Sequence, residues 1–255
     1  MKKTKILFCF LVVISVLSVS AQDQKKNFAL TFNYGNKGLA PELNDSWPIR
    51  QDVGYYYNNG FNSSVDVVSG LNYFGISPEF FFLNRKLSLS TGLRFTNLTA
   101  NVVKTDYDLG GYFYLMVKSE GLNTDYARVK AIRENSNYLG VPLEIKYIPF
   151  EFVNILFYVK LSAELSYRIN TSTDIEFKQP EMESYQSSVL TDLNVETNPL
   201  YSSIYSSIGT TIKLSKNLFC SLDVFLPSFY MSENNSGLVN MTNISGVQFS
   251  VTVPL

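Results

Sequence analysis

Apolar and polar residues alternate in eight stretches of this chain, and the connections between them go long, short, long, short, long, short, long. Alternation of this kind places successive side chains on opposite faces of a β-strand. Phe28 to Tyr34 sets Phe28, Leu30, Phe32 and Tyr34 against Ala29, Thr31 and Asn33. Tyr73 to Leu83 and Leu87 to Thr99 follow, joined by a turn at Asn84 to Lys86. Tyr138 to Ile148 leads through a turn at Pro149 to Phe152 into a fifth stretch that ends near Asn170. Tyr201 to Leu214 and Leu218 to Ser228 flank a turn at Ser215 to Asn217, and Ile244 to Val253 comes last. The long connections are rich in Asn, Ser, Tyr and Asp. An even number of strands of about ten residues, with turns at one end and loops at the other, predicts an all-β fold. It is an antiparallel up-and-down transmembrane barrel with short periplasmic turns and long extracellular loops.

Two further stretches, Tyr112 to Lys118 and Tyr126 to Arg133, lie inside the second long connection. They carry Lys118, Arg128, Lys130 and Arg133 and show no clean apolar face. They read as strand extensions above the membrane; a barrel of ten strands follows if they enter it instead. A soluble lipocalin-like barrel has strands of the same length, with the apolar faces turned inward. The asymmetry of the connections, together with Tyr and Phe at the strand ends, favours the membrane.

Composition narrows this picture. Lys2, Lys3 and Lys5 precede an apolar run from Ile6 to Val19, and Val19, Ser20 and Ala21 offer small residues for cleavage. Residues 1–21 therefore read as a secretory signal and 22–255 as one outer-membrane β-barrel domain of a Gram-negative bacterium. No later stretch is apolar for the roughly 18 residues of a spanning helix. The chain has 17 Tyr and 19 Phe, which suits aromatic girdles at the two membrane interfaces. Without the signal, Cys220 is the only cysteine, which excludes an internal disulfide. Formal charge moves from −1 to about −4, too mild to imply a nucleic-acid partner.

With apolar faces toward lipid, the alternation sends Glu79, Arg94, Glu144, Lys146, Lys160, Glu164, Arg168, Lys213 and Asp223 inside. Eight strands leave an interior just wide enough for side chains to fill. Charges there must be paired, because desolvation costs several kcal/mol for each lone ion. An ion-pair network filling the barrel is the expected outcome; a selective small-solute channel is the alternative. No histidine is present, so a Ser-His-Asp triad is impossible. Glu144 and Glu164 could act as acid and base, but the ion-pair account is simpler. No metal-ligand spacing occurs, Asp106 and Asp108 being at most half of a calcium loop, and no cofactor is expected. Trp47, Tyr55, Tyr56 and Tyr57 form the one loop feature with a binding character, suited to a glycan or a partner protein; the alternative is an upper aromatic girdle, or packing of the long loop over the barrel mouth.

The stretches LSLSTGLRFTN (87–97), YLGVPLEIKYIPF (138–150) and FYVKLSAELSYRIN (157–170) resemble the PorT-like outer-membrane β-barrel proteins of Bacteroidetes, a porin-family group. Gly92, Leu93, Arg94 and Phe95 match its Gly-Leu-Arg-aromatic strand ending. Tyr138, Leu139, Pro142, Leu143, Lys146 and Tyr147 match its Tyr-Leu-x-x-Pro-Leu-x-x-Lys-Tyr strand. Tyr158 and Val159 match a third, in which Ser162 stands where Gly is usual. The resemblance covers about residues 73–255 and implies a non-enzymatic barrel; some relatives serve secretion or gliding machinery. The expectation is an outer-membrane protein surrounded by lipid, with a filled interior and loops that bind envelope proteins, glycans or another partner.

Overall fold

The computed structural model describes residues 27–50, 65–104, 111–120, 123–193, 197–230 and 236–255. The proposed signal at 1–21 and Tyr55, Tyr56 and Tyr57 lie outside them. Eleven strands form one antiparallel sheet: β1 (Phe28–Leu43), β2 (Ile49–Arg50), β3 (Asp66–Phe82), β4 (Leu87–Thr91), β5 (Leu93–Val103), β6 (Phe113–Glu120), β7 (Asn123–Phe152), β8 (Ile155–Phe177), β9 (Leu200–Ser215), β10 (Leu218–Tyr230) and β11 (Val239–Pro254). β4 and β5 are one ring strand interrupted at Gly92. The ring runs β1, β3, β4/β5, β7, β8, β9, β10, β11, and β11 pairs with β1 from Ala29↔Pro254 to Leu43↔Val239. This is an eight-stranded closed barrel.

The ten-strand alternative is not formed, for a reason visible in the register. β5 pairs with β7 up to Val103↔Ala131, and β6 takes over the same edge of β7 from Phe113↔Val129. β2 pairs with β6 in turn. The extra hairpin therefore continues the wall upward and leaves the ring at eight.

Along the strands the outward residues Phe74, Leu93, Leu143, Leu161, Ile208, Leu222 and Phe249 are exposed, Phe74 at 61%. They belong to a band that encircles the barrel, and on β7 it spans Leu139 to Phe150. Apolar surface on this scale is a lipid-facing surface. Its upper margin is marked by outward carboxamides. Asn36 donates to Asn72 at 2.7 Å, Asn97 to Asn135 and Asn137 at 2.6 and 2.8 Å, and Asn137 to Asn170 at 2.8 Å.

Several strands are longer than the alternation predicts. The Pro149 to Phe152 turn is instead the end of β7, and the chain reverses at Val153 and Asn154. Pro149 sits at a register shift between Tyr147 and Phe150, where a residue without an N–H is tolerated. Of the third long loop, β8 takes the part up to Phe177, a 3₁₀ turn (Pro180–Tyr185) follows, and then α1 (Gln186–Leu193).

Candidate functional site

Inward positions of the membrane-level strands converge on Arg94, which is fully buried. Its Nη2 donates to Glu144 Oε1 at 2.8 Å. Its Nη1 donates to Glu164 Oε2 at 2.9 Å and to Tyr205 Oη at 2.5 Å. The guanidinium also lies 4.3 Å from the Tyr73 ring centre. On the turn side, Lys160 Nζ stands 3.6 Å from Glu144 Oε2 and 3.3 Å from Asp223 Oδ2. Asp223 also accepts from Ser207 Oγ and Gln248 Nε2, each at 3.2 Å. Glu79 accepts from Lys146 Nζ at 2.5 Å, Ser88 Oγ at 2.6 Å and Thr31 Oγ1 at 3.1 Å.

Lys37 belongs to the same network and is completely buried. Its ammonium is 3.8 Å from Glu164 Oε2 and lies against Tyr205, Tyr73 and Phe225, at 3.8, 5.1 and 5.3 Å from the ring centres. Tyr205 and Phe225 meet edge to face at 5.1 Å. Two glycines make room for the inner aromatic wall. Gly35 faces Tyr73 across β1 and β3, and Gly209 faces Tyr158 across β8 and β9. A Cβ on either would come within 2.5 Å of the opposing ring, so both rings lie flat on bare backbone.

The interior charges balance: Lys37, Arg94, Lys146 and Lys160 face Glu79, Glu144, Glu164 and Asp223. Every carboxylate has a cation within 4 Å, which is the condition under which buried ions persist. Among the described residues no three His, Cys, Asp or Glu are grouped as a metal site.

Room inside is small. A polar chamber of about 20 Å³ lies among Glu79, Glu144, Lys160, Asp223 and Gln248, enough for one water molecule. It shares Glu79, Lys146, Ser221 and Thr252 with a vestibule of about 370 Å³ at the turn end, into which Arg85, Lys86 and Lys213 also project. Arg94 lines neither the chamber nor the vestibule.

Above the network the interior changes character. Trp47, Val102, Phe113, Leu115, Val129, Ile132, Ile175, Phe177, Val189 and Leu238 form a buried apolar cluster, here called the cap. β6 and the upper reaches of β5, β7 and β8 supply its wall, and α1 contributes Val189. Trp47 Nε1 donates to Gly237 O at 2.7 Å. Glu134 is the one carboxylate buried beside this cluster among the described residues. It accepts from Leu238 N at 2.8 Å and Ser136 Oγ at 3.3 Å, and burial holds its carboxyl above the usual range.

The predicted interior residues separate into two groups. Glu79, Arg94, Glu144, Lys146, Lys160, Glu164 and Asp223 come together. Arg168 and Lys213 do not join them: Arg168 Nη2 donates to Thr197 Oγ1 at 2.7 Å at the loop-end rim, and Lys213 pairs with Glu151 at the turn end. Lys37 was absent from the predicted set, because Gly35, Asn36 and Gly38 look like a turn after Tyr34. The signal that could have found it is the unbroken alternation Ala29, Thr31, Asn33, Gly35, Lys37. Trp47 is only 6% exposed, so its indole packs the cap and presents no binding face.

No family model matches the sequence, and no curated protein matches it. Solved structures do resemble the fold. The outer membrane protein OprG of Pseudomonas aeruginosa matches at 11% identity and a TM-score of 0.43, over 90% of this chain and 98% of that one. The outer membrane protein W of E. coli matches at 8% identity and a TM-score of 0.36, over 92% and 100%. Ail, the attachment invasion locus protein of Yersinia pestis, matches at 8% and 0.29, over 89% and 99%. The eight-stranded ring itself rests on the strand pairing, closed by β11 on β1.

Proposed function

We propose that this is a non-enzymatic outer-membrane protein that does not conduct, and that its loop end serves recognition of an envelope component or partner. The observation that carries this reading is the pair of stacked closures: four cations matched with four carboxylates at membrane level, and an apolar cap above them. A pore would need a continuous wet path, and neither the chamber nor the vestibule is lined by Arg94. In this reading residues 1–21 are a cleaved signal, the turns at Leu83 to Lys86, Val153 to Asn154 and Lys216 to Asn217 face the periplasm, and the cap faces outward.

Planar-bilayer recording of the refolded protein tests the closure. Traces indistinguishable from a protein-free bilayer are expected. Steady openings that change size in Glu144→Gln would replace this reading with the small-solute channel. A finer placement among PorT-like barrels rests on Gly92 to Phe95 and on Tyr138 to Tyr147, and it would make a role in secretion or gliding machinery the next hypothesis. Capture of the same envelope proteins by the native chain and by a variant lacking 231–235 would argue against the loops as the contact.

A further inference from the structure

The outward surface of the cap is uneven. The wall made by β6, β7 and β8 rises well above the rest, since β7 runs for 30 residues and β8 for 23, against 16 for β9. Its inner face is apolar and holds the cap together. Its outer face is polar, with Arg128, Lys130, Arg133 and Lys178 beside Asp125, Asp174 and Glu176 among the described residues.

Near the foot of this wall stands the carboxamide row of Asn97, Asn135, Asn137 and Asn170. One step higher, Lys130 and Arg133 both pair with Glu176, at 3.6 and 2.7 Å. Higher still, Arg128 and Lys178 are cross-strand neighbours, Lys178 N donating to Arg128 O at 2.8 Å. No carboxylate of the described residues pairs with either side chain. Both cations lie against Tyr112 instead, Arg128 at 5.3 Å and Lys178 at 4.1 Å from its ring centre. Tyr112 meets Tyr114 edge to face at 5.6 Å. A hydrogen bond from Tyr112, with Arg128 and Lys178 close by, holds the Tyr114 phenol below its usual value.

Two cations that pair with no carboxylate among the described residues, braced by tyrosines, form an anion-recognising surface: the rings fix the cations, and the phenols offer hydrogen bonds. Its height selects the anion. Arg128 is eleven positions along β7 from Leu139, the upper edge of the apolar band. At about 3.3 Å per residue on a strand tilted by about 40°, that is roughly 28 Å above the lipid boundary. Sugars occupy this level of an outer leaflet, and the asparagine row connects the patch to the membrane surface below.

We propose that the outer face of this wall, centred on Arg128, Lys178, Tyr112 and Tyr114, binds the anionic core sugars of the surrounding lipopolysaccharide. This deepens the recognition role above and rests on the outer-membrane reading. The asparagines meet sugar hydroxyls near the lipid, and Arg128 and Lys178 meet phosphate or carboxylate groups further out.

The test uses the full chain refolded in nanodiscs and three probes: a deacylated, phosphorylated core oligosaccharide, the same oligosaccharide after dephosphorylation and carboxyl reduction, and lipid A. The parent should bind the charged oligosaccharide with an affinity that falls as salt rises, and about tenfold or more above the neutral one. R128Q/K178Q should lose about tenfold or more for the charged probe, while K216Q at the opposite end should match the parent. Equal binding of the charged and neutral probes, or equal binding by parent and R128Q/K178Q, overturns the proposal. A loss by R128Q/K178Q confined to lipid A would overturn the placement at the core sugars. Heat-modifiable gel mobility of the same samples reports the barrel itself, so a failure of the membrane reading shows separately.

Discussion

The barrel and the cap are built from the same strands with opposite polarity. At membrane level β7 turns Leu139, Val141, Leu143 and Ile145 outward and Pro142 and Glu144 inward; toward its start it turns Arg128 and Arg133 outward and Val129 and Ile132 inward. The change of solvent explains the reversal. Lipid rewards apolar exteriors and leaves the narrow interior to paired charges, whereas water rewards a polar exterior over an apolar core. The reversal begins as a change of residue type, since Arg133 and Ile132 keep the phase of Leu139 and Pro142; the register then shifts between Val129 and Ala131, and Lys130 stays outside. One extra residue is enough to exchange the two faces beyond it.

The sharpest way to break the contrast is to remove the centre of the charged interior. Arg94→Ala leaves Glu144 and Glu164 without their guanidinium and should cost about 4 kcal/mol. Urea titration read by heat-modifiable mobility should show it, and a midpoint equal to that of the parent would mean the network is incidental. Leu143→Arg puts a charge near the middle of the lipid-facing band and should cost about 3 kcal/mol in the same titration. The same type of substitution at the outward Asn135 of the cap should change stability by about 0.5 kcal/mol or less.

Leu115→Ala acts on the cap alone. It should cost about 3 kcal/mol of local stability and leave the barrel's midpoint unchanged. Trp47 is the single tryptophan and sits in this cluster, so its emission reports the cap and gel mobility reports the barrel. Coincident shifts of both signals would show one cooperative unit. The smallest effect concerns Glu134. Its folded carboxyl titrates above its unfolded value, so its contribution to stability is present below the unfolded value and is lost as pH rises through the folded one. The cap of the parent should therefore gain stability as pH falls from 7 into the carboxylate range, whereas Glu134→Gln should give a flatter profile; parallel profiles would place the titration elsewhere.

The lipid-level strands were legible because lipid enforces period two without exception, and Glu79, Arg94, Glu144 and Glu164 fell on the inner phase for that reason. The cap was hidden by the slip at Lys130, which makes Tyr126 to Arg133 look faceless when counted straight through. Trp47 was open between binding and packing for a different cause. An aromatic residue in a polar connection gives no local sign of the distant Leu238 and Val189 that bury it. Arg168 and Lys213 kept the inward phase but sit where the interior opens to solvent. Alternation reports which way a side chain points and says nothing of its depth.

Closure joins the two ends of the chain. Thr31 and Thr252 share a hydrogen bond across 221 positions, and β1 and β11 stay paired along nearly their whole length. Each of these strands would present an unpaired edge until the other arrives, and an unpaired edge is intolerable in lipid. Assembly is therefore all-or-nothing with respect to delivery: a chain that lacks β11 cannot settle into the bilayer as a smaller barrel. It would remain an open, sticky sheet, and the arrival of β11 decides whether β1 has a place.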